Sequence, residues 1–159
     1  MKKQKIYLET SLFNHYFDED RGLAHTSTIS LFKEIAADKY KAFTSTYVTD
    51  ELENAPQEKS NKMIGLIKEY NVSVLAPNDE TVRLAKLYTS EGIIPIKFLT
   101  DGLHIAIATV NELDMIISMN FQHIVKRKTK IGTEKINTLN GYHAVEIYSP
   151  MEVIEDEND

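Results

Sequence analysis

Along this chain, short apolar runs alternate with longer segments whose apolar residues recur every three or four positions. These are the two patterns that separate buried strands from amphipathic helices. The clearest instance spans residues 100–125. Leu103, Ala106, Ile107, Val110 and Leu113 make one helical face, while Asp101, His104, Ile105 and Ala108 share another, so an acid and a histidine project together. Met115–Ile117 is too short and too uniformly apolar for a second amphipathic helix, and reads as a parallel strand covered on both faces. Ser118, Asn120 and His123 follow it directly, at the end of the strand where open α/β sheets place their ligands.

The same reading extends over the rest of the chain. Residues 5–8 are a first strand that runs into Glu9, Thr10 and Ser11, with Thr10 or Ser11 as the expected cap of a short helix carrying Leu12, Phe13, Tyr16 and Phe17. DEDRG, residues 18–22, is a polar loop at the edge of a cleft. Ile29, Phe32, Ile35 and Ala36 predict a helix over 26–37, residues 38–41 a polar break, and residues 42–44 a second strand. Ser45 is the expected cap of a helix holding Tyr47, Val48, Glu51 and Leu52, which ends near Pro56. A helix over 59–70, a strand over 72–75 and a capping turn at Pro77-Asn78-Asp79 come next. Val82, Leu84, Ala85 and Tyr88 then mark a helix closed by Gly92, and residues 93–98 connect it to the opening stretch. KRKTK, residues 126–130, reads as a loop, either simply solvated or lying against phosphate. Residues 143–148 are a final strand, Ser149-Pro150 starts a short helix, and residues 155–159 form an acidic tail. Strands alternating with helices predict right-handed βαβ units and a three-layer α/β/α sandwich around a parallel sheet, in a single domain over 1–159.

Composition narrows the class. With 26% charged and 42% hydrophobic residues in 159, the chain has an ordinary globular make-up. No apolar run has the length of a membrane span. The basic start MKKQKIYLET passes straight into a strand without the apolar core of a signal peptide, so the expectation is a cytoplasmic protein with no membrane segment. Absence of cysteine removes disulfides, thiolate zinc sites and thiol nucleophiles. A net charge of −6 argues against nucleic-acid binding by bulk electrostatics, but leaves room for a local basic groove.

Candidate chemistry lies at the strand ends. Glu9 with Ser11, Glu51, Asp101 with His104, and Ser118 with Asn120 all fall just beyond a strand or at a helix start. Parallel strands point the same way, so these groups converge on one edge of the sheet. Taken alone, Glu51 would be an ordinary solvated helix glutamate. Carboxylates gathered in one cleft raise each other's pKa unless a cation neutralises them, and oxygen ligands without cysteine suit Mg²⁺ or Mn²⁺. Such ions can activate water and stabilise the leaving oxygen of a phosphodiester. His104 and His123 are open to three readings: partners of the acids, phosphate contacts, or histidines packed into the cleft wall. His104, His123 and His143 lack zinc-site spacing, and no nucleophile elbow, phosphate-binding glycine loop or dinucleotide fingerprint occurs.

Four blocks, KIYLETSLFN, TSTYVTDEL, DGLHIAIA and IISMNFQHIV, with the closing VEIYSPMEVI, resemble in order and spacing the PIN domain family over nearly the whole chain. Bacterial single-domain members of that family include VapC-like toxin nucleases. The resemblance implies a metal-dependent endoribonuclease, with the family's first three acids at Glu9, Glu51 and Asp101, its fourth acidic position at Asn120, and the neighbouring hydroxyls at Ser11 and Ser118. His104 and His123 would steady these groups or meet the substrate. Mg²⁺ or Mn²⁺, an RNA substrate, a small antitoxin partner and a homodimer follow from the same resemblance. Two positions depart from the pattern: Glu9 stands where aspartate is usual, and Asn120 offers a carbonyl oxygen without charge. These departures define the alternative, a PIN-like module that binds RNA or a protein partner without cleaving.

Overall fold

The protein is described by a computed structural model over residues 2–155. The acidic tail from residue 156 onward lies outside the described residues. Five strands, β1 (Gln4–Leu8), β2 (Tyr40–Ser45), β3 (Ser73–Leu75), β4 (Met115–Ile117) and β5 (Glu146–Tyr148), form one sheet in the order β3-β2-β1-β4-β5. Every neighbouring pair is parallel. Ile6, Tyr7, Leu8, Ile116 and Ile117 are fully buried, as strands covered on both faces require. β2 starts earlier than its apolar run suggests, because Tyr40 packs into the core and Lys41 alternates outward. The expected polar break at 38–41 is therefore only a two-residue turn, Ala37-Asp38 giving way to strand after Lys39.

The helices are α1 (Thr10–Phe17), α2 (Leu23–Ala36), α3 (Thr46–Glu53), α4 (Gln57–Glu69), α5 (Asp79–Ser90), α6 (Leu99–Val110), α7 (Arg127–Leu139) and α8 (Pro150–Val153). α1, α2, α4 and α8 pack together, and α5, α6 and α7 pack together, giving the two outer layers of an α/β/α sandwich. The chain steps from β1 to β2 to β3, then crosses back to place β4 on the other side of β1. Ligands of such sheets bind at this reversal, between β1 and β4.

Several local expectations are corrected. The side chain that caps α1 is that of Glu9, which accepts from the Ser11 backbone N–H; Thr10 and Ser11 lie inside the helix. Ser45 stands at the start of α3, but its hydroxyl bonds Tyr7 instead of capping. The polar loop at 18–22 contains a 3₁₀ turn at Glu19–Arg21, and α2 begins at Leu23, earlier than expected. KRKTK is not a loop: α7 begins at Arg127, so its basic residues form the first turn of a helix. α7 went unforeseen because its buried positions are mostly polar, Thr129, Thr133 and Asn137 with only Ile136. Thr129 and Thr133 bond backbone carbonyls, and Asn137 accepts from Tyr88, so these polar groups are buried without loss of partners. Close approach fixes the helix in place: a Cβ added at Gly132 would fall 2.6 Å from the Ile93 side chain. Among the described residues no helix is long and apolar enough to cross a membrane.

Candidate active site

The reversal between β1 and β4 brings the ends of both strands together. Leu8 pairs with Ile117, and the ladder continues one residue further through the Glu9 N–H to Ile117 C=O bond of 3.1 Å. Glu9 therefore sits beside Ser118. Glu9 Oε1 accepts from Ser118 Oγ at 2.6 Å, Ser11 Oγ at 2.5 Å and the Ser11 N–H at 3.2 Å. Each serine hydroxyl also accepts from backbone, Ser11 from the Met119 N–H and Ser118 from the Asn120 N–H, both at 2.9 Å. The two serines thus tie the carboxylate to the loop after β4. Glu9 is only 5% exposed. A carboxylate that accepts several donors is held rigidly and needs no further protein partner on that oxygen.

Asp101 stands in the first turn of α6 and faces the same loop. Its Oδ1 accepts from Asn120 Nδ2 at 3.2 Å, and its Oδ2 lies 3.2 Å from His123 Nδ1. Asn120 Oδ1 accepts from the His123 N–H at 3.0 Å, which turns the amide so that its NH₂ meets Asp101. The ring of His123 stacks on Phe98 with centroids 3.8 Å apart. Ser118, Asn120 and His123 therefore connect Glu9 to Asp101 through one short segment of chain.

Glu51 belongs to a second arm. Its Oε1 lies 2.8 Å from His104 Nε2, His104 Nδ1 lies 2.6 Å from the Tyr7 hydroxyl, and that hydroxyl lies 2.7 Å from Ser45 Oγ. A protonated His104 donates to both Glu51 and Tyr7, leaving Tyr7 to donate to Ser45. His104 is 1% exposed: it is packed into the wall between Tyr7 and Tyr47 and at the same time partners the Glu51 carboxylate. Tyr7 and Ser45 were missed as members of the site. The available signal was a tyrosine inside an otherwise apolar strand, because a buried phenol needs a hydrogen-bond partner.

Electrostatics couples the two arms. Burial and then the charge of Glu9 push the Asp101 carboxyl above its ordinary pKa, against the opposing pull of His104, His123 and Asn120. Burial works against the charged form of His104, yet Glu51, Glu9 and Asp101 together outweigh it and hold its pKa above the ordinary value. Burial, with Glu9 and Glu51 nearby, drives the Tyr7 phenol well above its usual pKa.

Among the described residues, no three Asp, Glu or His side chains stand close enough to form a cage around a metal ion. That geometry does not fit zinc, which is held by three or four protein ligands. Mg²⁺ and Mn²⁺ are hard ions commonly held by one or two carboxylates, with water and substrate oxygens completing the shell. Glu9 and Asp101, linked through Ser118, Asn120 and His123, are the carboxylates that could hold such an ion. His143 lies apart, with Nε2 3.3 Å from the Leu113 carbonyl.

No protein-family model and no curated protein matches this chain. Among solved structures, the crystal structure of VapC20 of Mycobacterium tuberculosis, described as a toxin that cleaves the sarcin-ricin loop, is similar with a TM-score of 0.53 and 14% identity. The similarity covers 70% of this chain and 86% of that one. At this identity the likeness concerns the fold, which is PIN-like, as the order of the sequence blocks implied.

Proposed function

We propose that this chain is a Mg²⁺- or Mn²⁺-dependent endoribonuclease whose reaction centre lies between Glu9 and Asp101. The observation that carries the reading is geometric: at the reversal of a PIN-like sheet, Ser118, Asn120 and His123 tie Glu9 and Asp101 into one network, and burial, then the nearby charge of Glu9, disfavours ionised Asp101 in a way a bound cation would relieve. A divalent ion bound there would lower the pKa of water at the scissile phosphate and offset charge on the leaving oxygen. The protein's own contribution is positional. Ser11 and Ser118 hold Glu9 in one orientation, Asn120 and His123 do the same for Asp101, and His104 fixes Glu51. Asn120 adds no charge, so Glu9 and Asp101 carry the ion, with Glu51 acting from the side. Purified protein is expected to cleave RNA in Mn²⁺ and Asp101→Asn to abolish that cleavage; no cleavage by wild type, or equal cleavage by wild type and variant, overturns the reading.

A second reading has its own observation. The Asn120 amide and the His123 ring already meet both oxygens of Asp101. If these contacts persist, the chain is a PIN-like module that binds RNA or a protein partner without cutting. Saturable Mn²⁺ binding that disappears in Asp101→Asn selects the nuclease, and absence of binding selects the module.

The similar structure is that of a toxin. We extend the proposal to the toxin of a toxin-antitoxin pair, acting in the cytoplasm as a homodimer and neutralised by a small antitoxin. A small neighbouring reading frame whose product co-purifies with the chain and blocks cleavage supports this. Light scattering on the purified chain reports the dimer.

A further inference from the structure

The basic run that begins α7 has no role in the arrangement above. Among the described residues Lys126, Arg127 and Lys128 are exposed and form no ion pair, whereas Lys130 reaches Glu152 at 3.8 Å and lies over the Tyr148 ring. Positive charge at the start of a helix opposes the helix dipole, and α7 has no acid in its first turn to offset it.

Their position is fixed close to the candidate active site. The Asn120 carbonyl accepts from both the Ile124 and Val125 N–H groups, folding the chain into a tight turn, and Thr129 Oγ1 in the first turn of α7 donates to the His123 carbonyl at 2.8 Å. His123 in turn meets Asp101. The same turn exposes an aromatic ring: Phe121, next to Asn120, is 47% exposed, a large share for a phenylalanine in a turn that buries Ile124 and Val125. Lys97 is exposed over the face of Phe98, which stacks on His123.

We propose that this edge is a track for an unpaired RNA strand, with Phe121 as a base-stacking platform and Lys126, Arg127 and Lys128 as its phosphate contacts. Cations joined to exposed aromatics are the combination by which proteins hold single strands. Paired bases present no free face to Phe121, so the track favours a loop or single strand over a duplex. The proposal rests on the nuclease reading for what happens to the strand at Asp101, but not for its binding.

The test is the affinity of a short labelled single-stranded RNA and of its duplex, with Ca²⁺ replacing Mg²⁺ or Mn²⁺ to keep the strand intact, over a series of salt concentrations. Single-stranded RNA is expected to bind about tenfold or more tightly than the duplex. Phe121→Ala is expected to weaken the single strand by about tenfold with the salt slope unchanged, while Phe121→Tyr retains binding. Arg127→Gln with Lys128→Gln is expected to flatten the slope of log K against log salt by roughly 0.7 per contact removed. All of these side chains are exposed, so loss of folding does not confuse the result. Equal binding of single strand and duplex, or wild-type binding by Phe121→Ala, overturns the proposal. Binding as expected without cleavage in Mn²⁺ leaves the track standing and removes the nuclease reading; cleavage with Phe121→Ala unchanged in affinity does the reverse.

Discussion

The two arms of the cleft handle negative charge in opposite ways. On one, Glu51 is matched inside the protein by His104, which is in turn held by Tyr7 and Ser45. On the other, Glu9 and Asp101 are joined only through neutral hydroxyls, an amide and the His123 ring, and Asp101 is left with a raised pKa. Both arms stand on the same strand ends, β1 contributing Tyr7 to one and Glu9 to the other. The difference is that the first arm pairs its acid with a histidine as folded, while the second leaves Asp101 with a raised pKa that, on the proposed reading, a cation would relieve. Stability should therefore depend mainly on the first arm, and metal response and chemistry on the second.

The largest break in this contrast is Asp101→Asn, which should lower RNA cleavage in Mn²⁺ by roughly a hundredfold or more, as loss of a charge-stabilising group typically does. Next is His104→Ala. It leaves a cavity beside Tyr7 and strips a partner from Glu51 and from Tyr7, and should lower stability by about 2–4 kcal/mol in a denaturant melt. Tyr7→Phe sharpens the point by removing only the hydroxyl: His104 and Ser45 lose a buried partner, for roughly 1–2 kcal/mol. A variant of either that melts like wild type would show that this arm does not brace the fold.

Two smaller effects carry a sign. Asp101 has a raised folded pKa, so its contribution to stability is present below the unfolded value and is lost as pH rises through the folded one. At neutral pH the ionised carboxylate is then a burden, and Asp101→Asn should melt no lower than wild type and up to a few °C higher without metal. Mn²⁺ should raise the melting temperature of wild type and leave the variant unmoved. His104 also has a raised folded pKa, so the stability from its pairing with Glu51 is present below the ordinary histidine range and fades as pH climbs through the raised value. The stability gap between wild type and Glu51→Gln should accordingly narrow in thermal melts as pH rises from about 6.5 upward.

The second arm was the more legible in sequence. Glu9, Asp101, Ser118 and Asn120 all sit at strand ends or helix starts, and the parallel sheet that gathers them follows from the alternation of short apolar runs with helical periods. Met115–Ile117 could be bounded closely because it is uniformly apolar and flanked by polar residues on both sides. In the first arm Glu51 and His104 stood out, but their pairing and the part of Tyr7 were not legible, because the partner of Tyr7 is ninety-seven positions away and only tertiary packing brings His104 to it. α7 escaped for a related reason: its inward face is built from Thr129, Thr133 and Asn137, whose partners lie elsewhere in the chain or on the backbone, so it shows no apolar stripe. The cap of α1 was misassigned because glutamate is an unusual capping residue, and only its bonds to Ser11 and Ser118 explain why its longer side chain folds back there.

The contrast between the arms is tested most directly by calorimetric titration of Mn²⁺ into wild type, Asp101→Asn and Glu51→Gln. The account predicts saturable binding by wild type, its loss in Asp101→Asn, and its retention within several-fold in Glu51→Gln, because Glu51 is already matched by His104. Absence of binding in wild type, or binding that survives Asp101→Asn and disappears with Glu51→Gln, would contradict it.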